Sequence, residues 1–522
     1  MSTPITSSRN TLKSGSRQGI DLRIVAGFGI LVLAGGAASL YPIFALGCLV
    51  AIVTVGICWA VVTSLKRAGL ELWQVVALIT LSGYLVLNYG VDNLAIHVGG
   101  FPILIAYGAM YASLACAVFA HRGLLPQVLR EPVLLCIFAI LGLSFFHLMA
   151  DIPHYGSWAF RDGTMCFDGL FVLMGMIWAR KSGSPRFLAK WLMVVFVLNM
   201  FYSLTLPWSE RIWSWSPESG VYNAVPLLGN FHGSGDVLFA GATFCICFGS
   251  YVISRPRWLM PLLVLGQLLG IAVTQVRRMY LGIVVVILIL ILAGEIKKFA
   301  RLFILVPAAL VVLFAVTTLG GLEISGRVGP VNLQFFKDHL RSITGAEDTP
   351  GSDPQSRVRM GNEALQHFYA HPVTGEGFGQ PVTDEMDYDT GLITRTPHNT
   401  SITYLARLGV VGFCLWMAFH FCLWKRFYYA YRQRRIADKQ LYTFVLWFFL
   451  FYVLFMITSL VESPFEYPAS AIPFYFLIGF ALGLIRWHLS PKNKAEYQPA
   501  SLAAEPLKQP VSNQFWNADG TI

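Results

Sequence analysis

The sequence predicts an all-α protein that crosses the membrane about fourteen times, with one large polar loop on the outer side. Three observations carry that reading. Of 522 residues, 56% are hydrophobic and only 13% charged, where a soluble chain carries about a quarter charged. The remaining charge sits in short breaks between apolar runs of roughly 16–22 residues, the length that crosses about 30 Å of hydrocarbon. Lysine and arginine recur on alternate breaks, as topology signals do, so the net charge of +10 is not read as a nucleic-acid surface.

Residues 1–21 are polar and basic, and no small-residue cleavage site follows the first apolar run, so an uncleaved cytoplasmic tail is expected. Residues 22–321 form a membrane domain of about eleven spans, near 22–40, 42–63, 72–90, 101–120, 132–150, 165–179, 187–206, 236–253, 257–276, 279–294 and 301–321. The large outer loop occupies 322–397. Three more spans, near 398–424, 442–461 and 467–487, make up 398–487, and the polar, aperiodic stretch 488–522 is expected to be a disordered cytoplasmic tail.

With the N-terminus inside, the inner breaks carry Lys66 and Arg67, Arg122 and Arg130, Arg180 to Lys190, Arg255 and Arg257, Lys297 to Arg301, and Lys425 to Lys439. Of twelve lysines only Lys337 falls outside, so the positive-inside rule holds at every inner break. Trp208, Trp213 and Trp215 suit an outer interfacial belt. All nine cysteines lie in apolar segments, which implies neither a disulfide framework nor a zinc site. No repeat recurs at a fixed period.

The chemistry concentrates around the large loop, which holds eleven acidic and six basic residues. Topology gives no reason for its arginines. Val358, Leu365, Phe368 and Tyr369 recur at helical spacing. His371-Pro372 ends that helix, and Gly375, Gly377 and Gly379 read as a flexible turn. His398 follows a proline where the chain re-enters the membrane, with Asn399 or Thr400 to cap the new helix. A histidine there is suited to accept a proton. Arg277 and Arg278, at the outer mouth between two spans, need acidic partners or an anion, and guanidinium forks match phosphate oxygens. Arg357 and Arg359 are further candidates for the same anion.

At these residues the chain resembles the O-antigen ligase and O-antigen polymerase superfamily, membrane enzymes that handle polyprenyl-diphosphate-linked glycans. The family motif stands here as His398, Asn399, nine residues, Gly409, Val410, Val411 and Gly412. Arg357, Pro372, Gly375 and Gly377 match the segment before it, and GNFHGSGD at 229–236 resembles the family's mid-chain outer loop weakly. The resemblance covers roughly residues 220–480. Two departures stand out: Arg407 where the family often has Glu, and about two more spans than a typical ligase.

The resemblance implies a GT-C-like bundle in the bacterial inner membrane, both termini cytoplasmic and the site periplasmic. It implies transfer of a glycan from undecaprenyl diphosphate to a sugar hydroxyl, on lipid A-core for a ligase or on a lipid-linked repeat for a polymerase. The clean His-Asn motif leans to ligase; the length and extra spans lean to polymerase. On this reading His398 is catalytic, Arg277, Arg278 and Arg357 face the donor diphosphate, and Asn399, Gly409 and Gly412 support the motif. A diphosphate held by arginines is already a good leaving group, so no metal or other cofactor is called for. GEGFG at 375–379 follows no strand and opens no helix, so it is not a nucleotide loop. The partners expected are the lipid-linked donor, the glycan acceptor and membrane lipids, with no nucleic acid.

Plainer readings stand beside these. His398 could simply cap or pack, Arg277 anchor at the interface, and Arg278 or Arg357 make a salt bridge, while Arg359 reads as structural. Asp168, Glu462 and Glu466, near the outer face, are functional candidates as intramembrane carboxylates or partners for Arg407. His232 reads as a loop histidine. The alternative from another class, a transporter or lipid-linked glycan flippase, predicts repeated halves and mid-membrane charges.

Overall fold

The computed structural model describes residues 69–98, 101–181, 183–216, 227–229, 233–253, 258–295, 324–334, 354–385, 394–434 and 438–489, with isolated positions between them. The chain divides into two compact units, Met1–Gly69 with Lys508–Ile522, and Leu70–Leu507. All the helices named below belong to the second. They are α1 (Leu72–Leu87), α2 (Ile105–Ala120), α3 (Pro132–Tyr155), α4 (Ser157–Phe167), α5 (Phe171–Ala179), α6 (Ser184–Leu204) and α7 (Ser234–Val252). They continue as α8 (Leu259–Thr274), α9 (Arg278–Leu292), α10 (Pro354–Ala370), α11 (Thr400–Arg432), α12 (Lys439–Ser459) and α13 (Pro468–Leu484). The described sheet is a single antiparallel hairpin, Ala95–Val98 with Phe101–Leu104.

Among the described residues eight helices are long and apolar enough to cross a membrane, and α2, α8 and α9 are shorter apolar helices. The protein is an all-α polytopic membrane protein. The expected spans 22–40, 42–63 and 301–321 lie outside the described residues, apart from isolated positions in the last. One expected span is corrected. The run near 165–179 begins at residue 157, because α4, a 3-10 turn and α5 form a continuous 23-residue stretch, Ser157–Ala179. Arg161 and Asp162 hid its first half from a hydropathy reading; in the fold these charges are paired.

The bundle is built on backbone contact and aromatic packing. Helices α5 and α13 lie so close that a Cβ on Gly175 would sit under 3.0 Å from the Phe476 carbonyl, and one on Gly479 equally close to that of Val172. Small residues allow this approach, and dispersion then holds the pair where lipid gives no hydrophobic drive. Around α7, Phe244 meets Phe196 and Trp447 at ring separations of 5.5 and 5.1 Å. At the end of the bundle away from His398, Glu131 accepts from Arg426 at 2.9 Å and Arg486 at 3.3 Å, tying the ends of α11 and α13 to the start of α3.

The long helix α11 is broken at Gly409, whose φ of 62° is non-helical. A kink inside a membrane leaves backbone groups unpaired unless something else satisfies them. Here the segment just before the motif does so. Val410 and Val411 donate to the carbonyls of Pro372 and Val373 at 2.9 and 3.3 Å, while Glu376 and Gly377 donate to those of Ala406 and Arg407, both at 2.9 Å. The 372–377 segment is thus a backbone plug seated in the helix break. It enters because Gly375 and Gly409 lack side chains: a Cβ on either would lie under 3.0 Å from the other segment's backbone.

Helix α10 is the one the spacing predicts, and it stops at Ala370 ahead of Pro372. The following glycine turn is not loose. Its three glycines have φ of 75°, 91° and 99°, and Phe378 and Gly379 donate to Asp151 and Asp162 at 2.7 and 3.1 Å. The turn is pinned to the end of α3 and the middle of α4.

Candidate active site

Three segments far apart in sequence converge on one carboxylate, Glu462, which follows the last turn of α12. Its Oε2 lies 3.0 Å from His398 Nδ1. Its Oε1 receives Arg278 Nη1 at 3.4 Å and Arg357 Nη2 at 3.3 Å. Arg357 also donates to the Val461 carbonyl at 2.9 Å. Asn399 donates to the carbonyl of Leu460 at 3.0 Å and, as N-cap of α11, accepts from Ile402 N–H at 3.2 Å. One amide therefore caps the re-entering helix and moors it to the Glu462 turn.

His398 itself has φ of 51°, a left-handed conformation that costs a non-glycine residue roughly 1–2 kcal/mol. Thr396 helps hold it: its hydroxyl accepts from the His398 N–H at 3.1 Å and lies 2.6 Å from that of Ser463. With Glu462 ionised, Nδ1 carries the ring proton and Nε2 is left as the basic nitrogen. The imidazole is partly open, at 27% side-chain exposure, while Glu462 keeps 14%.

The adjacent arginines are not equivalent. Arg278 is held by two carboxylates, with Nη2 2.8 Å from Asp236 as well as its contact to Glu462. Asp236 stands in the first turn of α7, where the helix dipole favours a negative charge, and also accepts from Thr458 at 2.8 Å. Arg277, the N-cap of α9, lies within the field of Arg357; burial first, and then that guanidinium, lowers its pKa. Arg357 keeps 46% of its side chain open. Arg359 lies apart on α10, paired with Glu385 at 2.6 Å.

Arg327 was not anticipated. Its backbone N–H donates to Val273 at 3.1 Å, and Gln275 pins the next two residues, its Oε1 accepting from Val328 and Gly329 at 2.8 and 3.1 Å. The turn lies over the end of α8 and delivers Arg327 beside Arg278 and Arg357. Burial, then Arg278, lowers its pKa, while Glu462 opposes the shift.

A second charged group lies three residues before His398. Asp162 on α4 meets Arg395 at 2.7 Å, Arg407 at 3.1 Å and Arg161 at 3.9 Å. This answers the anomaly of Arg407, which is 1% exposed. Its partner is Asp162 rather than Asp168, Glu462 or Glu466, and its guanidinium also donates to the Arg395 carbonyl at 3.2 Å. Asp168 instead accepts from Tyr111 at 3.4 Å. His232 lies outside the described residues. No cluster of three or more His, Cys, Asp or Glu side chains suited to a metal occurs among the described residues.

The fold and this site define a polytopic helical membrane protein with a histidine–carboxylate pair inside an arginine cluster. The family model described as O-antigen ligase matches residues 239–417, taking in the Arg277–Arg278 pair, Arg357 and the His398-Asn399 motif. Over those residues the chain is similar to the O-antigen ligase family. A search of curated proteins finds no match.

Proposed function

We propose that the protein transfers a glycan from a polyprenyl diphosphate, undecaprenyl diphosphate in the bacterial inner membrane, to a sugar hydroxyl on the periplasmic face, with both termini cytoplasmic. The observation that carries this is Glu462, which ties a proton acceptor to the arginine cluster. In the step, the acceptor hydroxyl oxygen attacks the anomeric carbon of the donor. The bond from that carbon to the diphosphate oxygen breaks, and polyprenyl diphosphate leaves with the electron pair. The hydroxyl proton passes to His398 Nε2. Arg357 and Arg277 face the developing charge on the leaving group. Arg278, committed to Asp236 and Glu462, fixes the frame that orients them.

A ligase acting on lipid A-core is the reading adopted; polymerase action on a lipid-linked repeat is the alternative. The test is the profile of surface and lipid-linked glycans in a deletion strain complemented with wild type or His398→Ala. Failure of the variant with accumulation of long lipid-linked chains supports a ligase, and accumulation of single repeats a polymerase. Full complementation by His398→Ala would overturn the assignment.

A further inference from the structure

Two short segments run side by side between the site's two charged groups. Residues 394–399 carry Arg395 to Asp162 and His398 to Glu462; residues 462–467 begin with Glu462 and reach Glu466 beside Arg407. Thr396 and Ser463 stitch them together. Three residues of extended chain span at most about 11 Å, so the backbones that carry Arg395 and His398 are close neighbours.

The Arg395 group has the chemistry of a sugar subsite. Trp158, at the start of α4, keeps 44% of its surface exposed, and the Arg395 and Arg161 guanidinium carbons lie 4.6 and 5.4 Å from its ring centre. An aromatic face offers apolar surface to the C–H side of a pyranose, and fixed guanidiniums offer donors to its oxygens. Asp162 is shared by three guanidiniums and is 5% exposed, so its charge is spent on the scaffold, and Arg161, with 29% of its side chain exposed, is the more open of the two guanidiniums that flank Trp158. The reacting group at Glu462 faces the diphosphate; this one has no phosphate-sized demand from that reading.

We propose that Trp158, Arg161 and Arg395 form the acceptor subsite, and that it takes an acidic glycan, one bearing uronate or phosphate groups, beside His398. This deepens the glycosyl-transfer reading and rests on it for the acceptor role. The competing account is that Trp158 is an interfacial anchor.

The experiment uses the full chain in nanodiscs, with Trp158→Leu, which keeps an apolar side chain, and Trp158→Tyr, which keeps a ring suited to either role. Acceptor and donor KM are measured separately. In parallel, a glucuronic-acid-terminated oligosaccharide and its glucose-terminated counterpart are titrated into each protein. Losing an aromatic anchor costs more than about 1 kcal/mol, so Trp158→Leu is expected to raise acceptor KM five- to tenfold with donor KM unmoved, and Trp158→Tyr to recover most of it. The acidic oligosaccharide is expected to bind more tightly than the neutral one, and less tightly to Trp158→Leu. An unchanged acceptor KM, or equal loss for donor and acceptor, overturns the subsite. Should wild type bind the acidic oligosaccharide through Trp158 but transfer nothing, the subsite stands and the reaction assignment fails. No difference between the two oligosaccharides, or no binding of either, overturns the acidic-glycan claim.

Discussion

His398 and Glu462 face each other with Nδ1 and Oε2 3.0 Å apart, though 64 residues separate them. The same carboxylate meets Arg278 and Arg357, so proton acceptor and arginines share one origin. The two residues should therefore fail differently. His398→Ala is expected to lower kcat by 10²- to 10⁴-fold, the usual contribution of general acid–base groups, with donor KM little changed. Glu462→Gln is expected to lower kcat and raise donor KM together, because it frees the arginines as well as the imidazole. Steady-state kinetics varying the donor at fixed acceptor separate the two; a pure kcat effect for Glu462→Gln would remove it from the centre of the site.

Arg278 and Asp236 test the frame. Removing one member of a largely buried ion pair strands the other charge, a loss of roughly 3–5 kcal/mol for fully buried pairs. This pair, at 12% and 23% side-chain exposure, should lose somewhat less. Thermal unfolding of the detergent-solubilised protein should show Arg278→Met and Asp236→Asn well below wild type. The double variant should fall less than the sum of the two; strict additivity would mean the charges do not interact.

Gly409 tests the plug. An alanine there is strained by its positive φ and collides with the 373–375 backbone, so overpacking of about 1–3 kcal/mol adds to the left-handed penalty of roughly 1–2 kcal/mol. Gly409→Ala is expected to abolish the monodisperse peak in size-exclusion chromatography. Gly142→Ala, at a helical position with nothing within 4 Å, should leave it unchanged.

Glu466 supplies a pH dependence. Burial raises its carboxyl above the ordinary 4.5, against the pull of Arg407. The folded protein then holds that proton more tightly than the unfolded chain, so this group's contribution is complete below 4.5 and fades as pH rises through the elevated value. Glu466→Gln should flatten that fall in melting temperature; a decline as steep as wild type's would show that another group causes it.

Much of this was legible in the chain. Apolar run length located the described membrane helices other than α4, α10 followed from the spacing of Val358, Leu365, Phe368 and Tyr369, and the Asn399 cap from residue type. The sequence grouped His398 with Arg277, Arg278 and Arg357 as one expected site; the carboxylate that joins His398, Arg278 and Arg357 was only one of three candidates. The partner of Arg407 was not legible, because Asp162 lies 245 residues away and pairing across that distance leaves no local mark. Arg327 was missed for a related reason, since its placement depends on Gln275 reading a turn more than fifty residues later. The glycines of 375–379 read as a flexible turn because composition reports permitted conformations and not the neighbours that select one.

The plug at Gly409 also imposes an order on biogenesis. Residues 372–377 are synthesised before 400–432, yet they satisfy donors and acceptors that exist only after the later segment has entered the bilayer and bent. Lipid cannot bond those groups in the interim. The plug therefore docks only after residues 400–432 have been inserted, and Arg357 can reach Glu462 only once the chain beyond α12 is in place as well. A nascent protein that has merely integrated is not yet assembled.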